Sequence, residues 1–242
     1  MSFPHTLAYA EPPTQIVSEQ NPSKRRWFEL ALITFVAFSG PLTRAIAYFR
    51  SGSTSPGHFD NFRWLENIFH ELGVLLLLAY ILRCSGRSFR NIGFRWSFKD
   101  AGIGVLLLVA SYIVYGMGSA LVILGYRFSH GGFPAYIDAR QIFGHVPWMA
   151  LPFTLLNPFF EELLVRAYLM TEIRELTGSV WLASIASVVL QTSCHIYYGW
   201  VGMFSVAFLF IAFTIFFAIW RRSMSLVVAH GVVDLIGFFR LH

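Results

Sequence analysis

Seven mostly apolar stretches follow one another along this chain, at 27–49, 64–83, 101–125, 149–173, 179–198, 201–220 and 223–240. A helix rises about 1.5 Å per residue, so about 20 such residues cross the roughly 30 Å hydrocarbon core of a bilayer. The expected fold is therefore all-α, a polytopic transmembrane helix bundle of about seven spans. Composition agrees. Charged residues make up 13% of the 242 positions and hydrophobic residues 56%, whereas soluble domains carry about 25% charged residues. That excludes an ordinary soluble domain, a disordered chain and a nucleic-acid binder with a polar surface. Cys84 and Cys194 lie in different apolar runs without a Cys-x-x-Cys spacing, which supports neither a disulfide framework nor a zinc ribbon.

Residues 1–26 read as a flexible cytoplasmic tail and 27–242 as one transmembrane domain. The tail contains Pro4, Pro12, Pro13 and Pro22 and ends in Lys24-Arg25-Arg26. It lacks the short apolar core and small-residue cleavage site of a signal peptide. Gly40-Pro41 and Arg44 interrupt the first span, so this segment is expected either to kink or to lie in the interface. With the amino terminus inside, eleven Lys and Arg fall on inner segments (Lys24, Arg25, Arg26, Arg83, Arg87, Arg90, Arg95, Lys99, Arg174, Arg221, Arg222). Six fall outside, at Arg44, Arg50, Arg63, Arg127, Arg140 and Arg240. The excess of cations on one side places the amino terminus in the cytoplasm. The net charge of +5 is thus a matter of membrane orientation rather than of nucleic-acid binding.

Ionisable residues sit where the bilayer should exclude them. Span four reads Asn157-Pro158-Phe159-Phe160-Glu161-Glu162-Leu163-Leu164-Val165-Arg166. Each charge at a helix centre costs about 2.5–3.5 kcal/mol on insertion scales, so these groups must face one another, a partner helix or a wet cavity. Glu162 and Arg166 stand at i, i+4 and can pair. Glu161 is rotated by about 100° from Glu162 and has no cation on its own helix. Asn157, one turn earlier, can hydrogen-bond it. Span five carries Gln191 and His195 and span seven carries His230 and Asp234, each pair again at i, i+4. Each pair taken alone also fits a bland role, a structural ion pair or a buried His oriented by an Asp. Together, carboxylates and imidazoles within nearby spans are the usual means of activating water, directly or through a metal. A proton or ion pathway would use similar residues.

The set Glu161-Glu162-x-x-x-Arg166, then His195, then His230-x-x-x-Asp234, resembles the CAAX-protease and bacteriocin-processing family of intramembrane proteases, related to the Ras-converting CAAX endopeptidase. The stretch Asn91-Ile92-Gly93-Phe94-Arg95-Trp96 is similar to a short basic motif of many bacterial members, and the resemblance covers residues 85–240. It implies that Glu161 is the catalytic carboxylate and that His195 helps it activate water. It implies that His230 and Asp234 are the oxyanion pair and that Glu162 and Arg166 shape the site; Asn157, from its place one turn before Glu161, is expected to support it. Two positions depart from the pattern. Gln191 stands where an aromatic is usual, and Asp234 stands where Asn is frequent. An ionised Asp cannot donate a hydrogen bond, so Asp234 is better suited to orienting His230.

The function expected is an intramembrane endopeptidase acting on a membrane-associated protein or peptide, with no nucleic-acid partner. The alternatives are a non-catalytic immunity or regulatory scaffold of the same family and a proton-coupled transporter. The expected location is the bacterial inner (plasma) membrane. No cofactor is expected. Were zinc used, Glu161, His195 and His230 would be its ligands, leaving one open position.

Overall fold

The structure is a computed structural model that describes residues 22–51, 61–134 and 139–242. Most of the expected tail, residues 1–21, lies outside the described residues. Every regular element among the described residues is helical. The order is α1 (Pro22–Ser51), α2 (Asn61–Cys84), α3 (Phe98–His130), the short α4 (Ala139–Phe143), α5 (Leu151–Glu161), a π-helical segment (Glu162–Leu169), α6 (Met170–Thr177), α7 (Val180–Ser193), α8 (Gly199–Trp220) and α9 (Ser223–Leu241). Because α5, the π segment and α6 follow without a break, seven rods correspond to the seven apolar runs. Five of them, α1, α2, α3, α8 with its preceding turn, and α9, are long and apolar enough to cross a membrane. The chain is an integral membrane protein with a polytopic helical fold.

The other two rods depart from simple spans for physical reasons. Leu151–Thr177 carries the buried charges. Helix α7 has only 14 residues, about 21 Å, and stops at Ser193 rather than continuing to 198. His195 therefore sits on the non-helical connection to α8, which a membrane protein tolerates where protein surrounds the exposed backbone.

Helix α1 runs through Pro41 to Ser51, so the interruption expected at Gly40-Pro41 does not end it. Proline has no N–H to give to the carbonyl four residues earlier, which here is Ala37. The ring of His70, on α2, lies with Nε2 3.2 Å from the Ala37 oxygen. A carbonyl only accepts, so His70 donates and replaces the lost bond. Elsewhere α3 packs closely on α8 and α9. At Gly118 any side chain would collide with the Phe208 ring, so glycine sets the approach of α3 to α8.

Ion pairs tie one end of the bundle together. Arg26 holds Glu172 at 2.8 Å and Glu175 at 2.6 Å, and Arg87 also pairs with Glu172. Arg222 meets Asp100 at 2.8 Å, and Arg221 donates to Thr171 at 3.0 Å. The start of α1, the α2–α3 loop, α6 and the α8–α9 turn thus share one end, and these segments, with the adjoining ends of α2 and α3, hold the eleven cations assigned to the inner side. At the opposite end Tyr48 donates to the Gln141 carbonyl at 3.2 Å and Arg140 to the Arg240 carbonyl at 3.0 Å.

Candidate active site

The Leu151–Thr177 rod, α7 and α9 meet around the polar groups singled out in the sequence. From Glu162 to Leu169 the rod widens into a π-helix, and every residue of that segment is buried. π segments are rare and favour functional sites. Glu161 is the last residue of α5 and Glu162 the first of the π segment. One ring on α9 meets both of them. His230 Nδ1 lies 2.8 Å from Glu162 Oε1 and its Nε2 lies 3.7 Å from Glu161 Oε2.

Glu162 and Arg166 are both fully buried and pair at 3.3 Å, as their spacing suggested. Arg166 also donates to Gln191 Oε1 at 2.6 Å, and its guanidinium lies 5.2 Å from the Phe210 ring centre. The amide nitrogen of Gln191 donates in turn to Glu161. Gln191, noted in the sequence only as a departure from an aromatic, is therefore the bridge from the buried arginine to Glu161. A phenylalanine at this position could not supply both of these hydrogen bonds.

His195 is fixed through the same residue. Its Nδ1 lies 2.9 Å from the Gln191 carbonyl, which can only accept. Nδ1 therefore carries the proton, and in the neutral ring Nε2 presents a lone pair. Phe210 packs against the ring at 4.9 Å between centres.

Asn157 does not bond Glu161 as its helical spacing suggested. It reaches across to α9 and donates to Asp234 Oδ2 at 3.1 Å. Asp234 Oδ1 lies 3.6 Å from His230 Nε2, beyond a direct hydrogen bond, so the contact that fixes the ring comes from Glu162. The Glu161 and Asp234 side chains keep 16% and 23% of their surface accessible, against none for Glu162 and Arg166. The first pair can meet an incoming molecule and the second cannot.

Sequence reading missed Glu71. This α2 residue is 3% exposed, its Oε2 is buried without a hydrogen-bond partner, and it lies within the electrostatic field of Glu161 and Asp234. The signal was available, because Glu71 interrupts the apolar run 64–83 at the same insertion penalty that drew attention to Glu161. A zinc site would need Glu161, His195 and His230 to converge. Among the described residues no group of three or more His, Cys, Asp or Glu side chains is arranged to hold a metal ion.

The fold and site thus define an integral membrane bundle with an ionisable cluster enclosed between its helices. Residues 143–236 match the family model of the type II CAAX prenyl endopeptidases, Rce1-like. The matched stretch contains Asn157, Glu161, Glu162, Arg166, His195, His230 and Asp234, and it bears out the resemblance to the CAAX-protease and bacteriocin-processing family. No curated protein and no solved structure matches the chain.

Proposed function

We propose that this protein is an intramembrane endopeptidase that hydrolyses a peptide bond of a membrane-associated substrate, with Glu161 as general base. The observation that carries the reading is the partly accessible Glu161 carboxylate, held by Gln191 and facing His230, inside a helical bundle of largely apolar composition. Glu161 takes a proton from water while the His195 Nε2 lone pair orients that water. The water oxygen bonds to the carbonyl carbon. His230, whose Nδ1–H donates to Glu162, acts as the imidazolium and offers Nε2–H to the developing oxyanion, and Asp234 lies beside that nitrogen to favour the doubly protonated ring. Collapse breaks the carbon–nitrogen bond, and the proton held by Glu161 passes to the leaving amine.

The chain's own residues are proposed to suffice for the reaction, and a chelator tests that. Phenanthroline is expected to leave the purified protein as active as before. Stoichiometric zinc in the preparation, with activity lost on removing it and regained on adding it back, would assign the metalloprotease reading instead.

The cation-rich end is proposed to face the cytoplasm, with the amino terminus on that side. Ser88, exposed in the α2–α3 loop, reports on this in a background lacking Cys84 and Cys194. Ser88→Cys is expected to resist a membrane-impermeant thiol reagent in intact cells and to react after permeabilisation. Ready labelling of intact cells would invert the orientation.

A further inference from the structure

A cavity of about 590 Å³ opens at the cation-rich end between the α2–α3 loop and the α8–α9 turn. Arg90, Arg95, Arg221 and Arg222 line it, and Asp100 is the one carboxylate among the lining residues. Arg221 turns its guanidinium to Thr171 on α6, which leaves Arg90, Arg95 and Arg222 to set the charge of the wall. Arg222 is the one that Asp100 neutralises, at 2.8 Å.

The wall is built rather than incidental. Gly93 has φ +94, and a Cβ there would lie 2.6 Å from the Arg221 carbonyl oxygen. Arg221 has φ 50, the one described non-glycine residue in the left-handed region, a conformation disfavoured for a residue with a side chain. The Ser223 N–H donates to the Gly93 carbonyl at 3.3 Å. Loop and turn are locked together in a geometry that brings the four arginines to one opening. Trp96 and Trp220, also lining it, are 69% and 57% exposed. Such rings settle at the membrane–water interface, the depth at which lipid phosphates lie. Guanidinium forks match phosphate oxygens, and anionic leaflets attract clustered Arg. The basic stretch Asn91–Trp96, which the hydrolytic site does not use, thereby acquires a role.

We propose that this cavity binds a phosphate group, supplied by the headgroup of an anionic lipid, and that the bound phosphate clamps the turn from which α9 begins. The test is native mass spectrometry of the full-length protein in detergent, titrated with phosphatidylglycerol, phosphatidylcholine or inorganic pyrophosphate. Phosphatidylglycerol is expected to bind at least about tenfold more tightly than phosphatidylcholine. Arg90→Gln with Arg95→Gln is expected to weaken it about tenfold or more, and each single variant to give part of that loss. Arg83→Gln, a cation of the same region outside the cavity, is expected to leave binding unchanged. If pyrophosphate also binds and displaces the lipid, with the same loss in the double variant, the phosphate site stands and its source is soluble. Equal binding of the two lipids, or equal loss on Arg83→Gln and on the cavity variants, would overturn the proposal.

Discussion

A Glu161→Gln protein is expected to accumulate and melt like the wild type while losing peptide hydrolysis by about 10²–10⁴-fold, the usual contribution of a general base. The fold should survive because the substitution keeps shape and bonding. Glu161 accepts from the Gln191 amide, and a glutamine oxygen can accept the same bond, though less strongly. What disappears is the ability to take a proton from water. Expression, thermal unfolding in detergent and cleavage of a reporter, measured on one preparation, separate these effects. A parallel fall in melting temperature and activity would make Glu161 a structural residue.

Arg166→Ala is expected to do the opposite and remove the protein together with its activity. Arg166 is fully buried, pairs with Glu162 and donates to Gln191. Its loss strands a buried carboxylate and releases Gln191 from its place beside Glu161. Breaking a buried pair on one side costs about 3–5 kcal/mol, a large part of the stability of a typical domain. Combining Arg166→Met with Glu162→Gln is expected to recover part of that stability. The glutamine oxygen still accepts from His230 Nδ1, and no unpaired charge remains. Protein levels and melting temperatures of the single and double variants check this, and an undiminished yield of Arg166→Ala would contradict it.

The sequence made the rods legible because a bilayer forces one period and one length on each span. It also made the Glu162–Arg166 pair legible, since both partners lie on one helix. Partners chosen across helices were not legible. Asn157 stands one turn from Glu161 but bonds Asp234 on α9, because tertiary packing decides which neighbour the side chain meets. Gln191 looked like a departure from a motif until Arg166 and Glu161 were seen on either side of it. The π segment has no composition that announces it, yet it begins at Glu162, between the two carboxylates that face His230. The early end of α7 was equally hidden, because the apolar run continues past the last helical residue. Glu71 was legible by the rule applied to Glu161 and went unread because no basic or imidazole partner stood one turn away to make a pattern.

Water activated by Glu161 is proposed to add across a peptide bond within the membrane. Membrane vesicles containing equal amounts of the wild-type or the Glu161→Gln protein, incubated in ¹⁸O-labelled water, test it directly. Mass spectrometry of the membrane proteins is predicted to find new carboxyl termini carrying one ¹⁸O atom with the wild type and none of those termini with Glu161→Gln. The same termini appearing with both proteins, or with neither, would contradict the account.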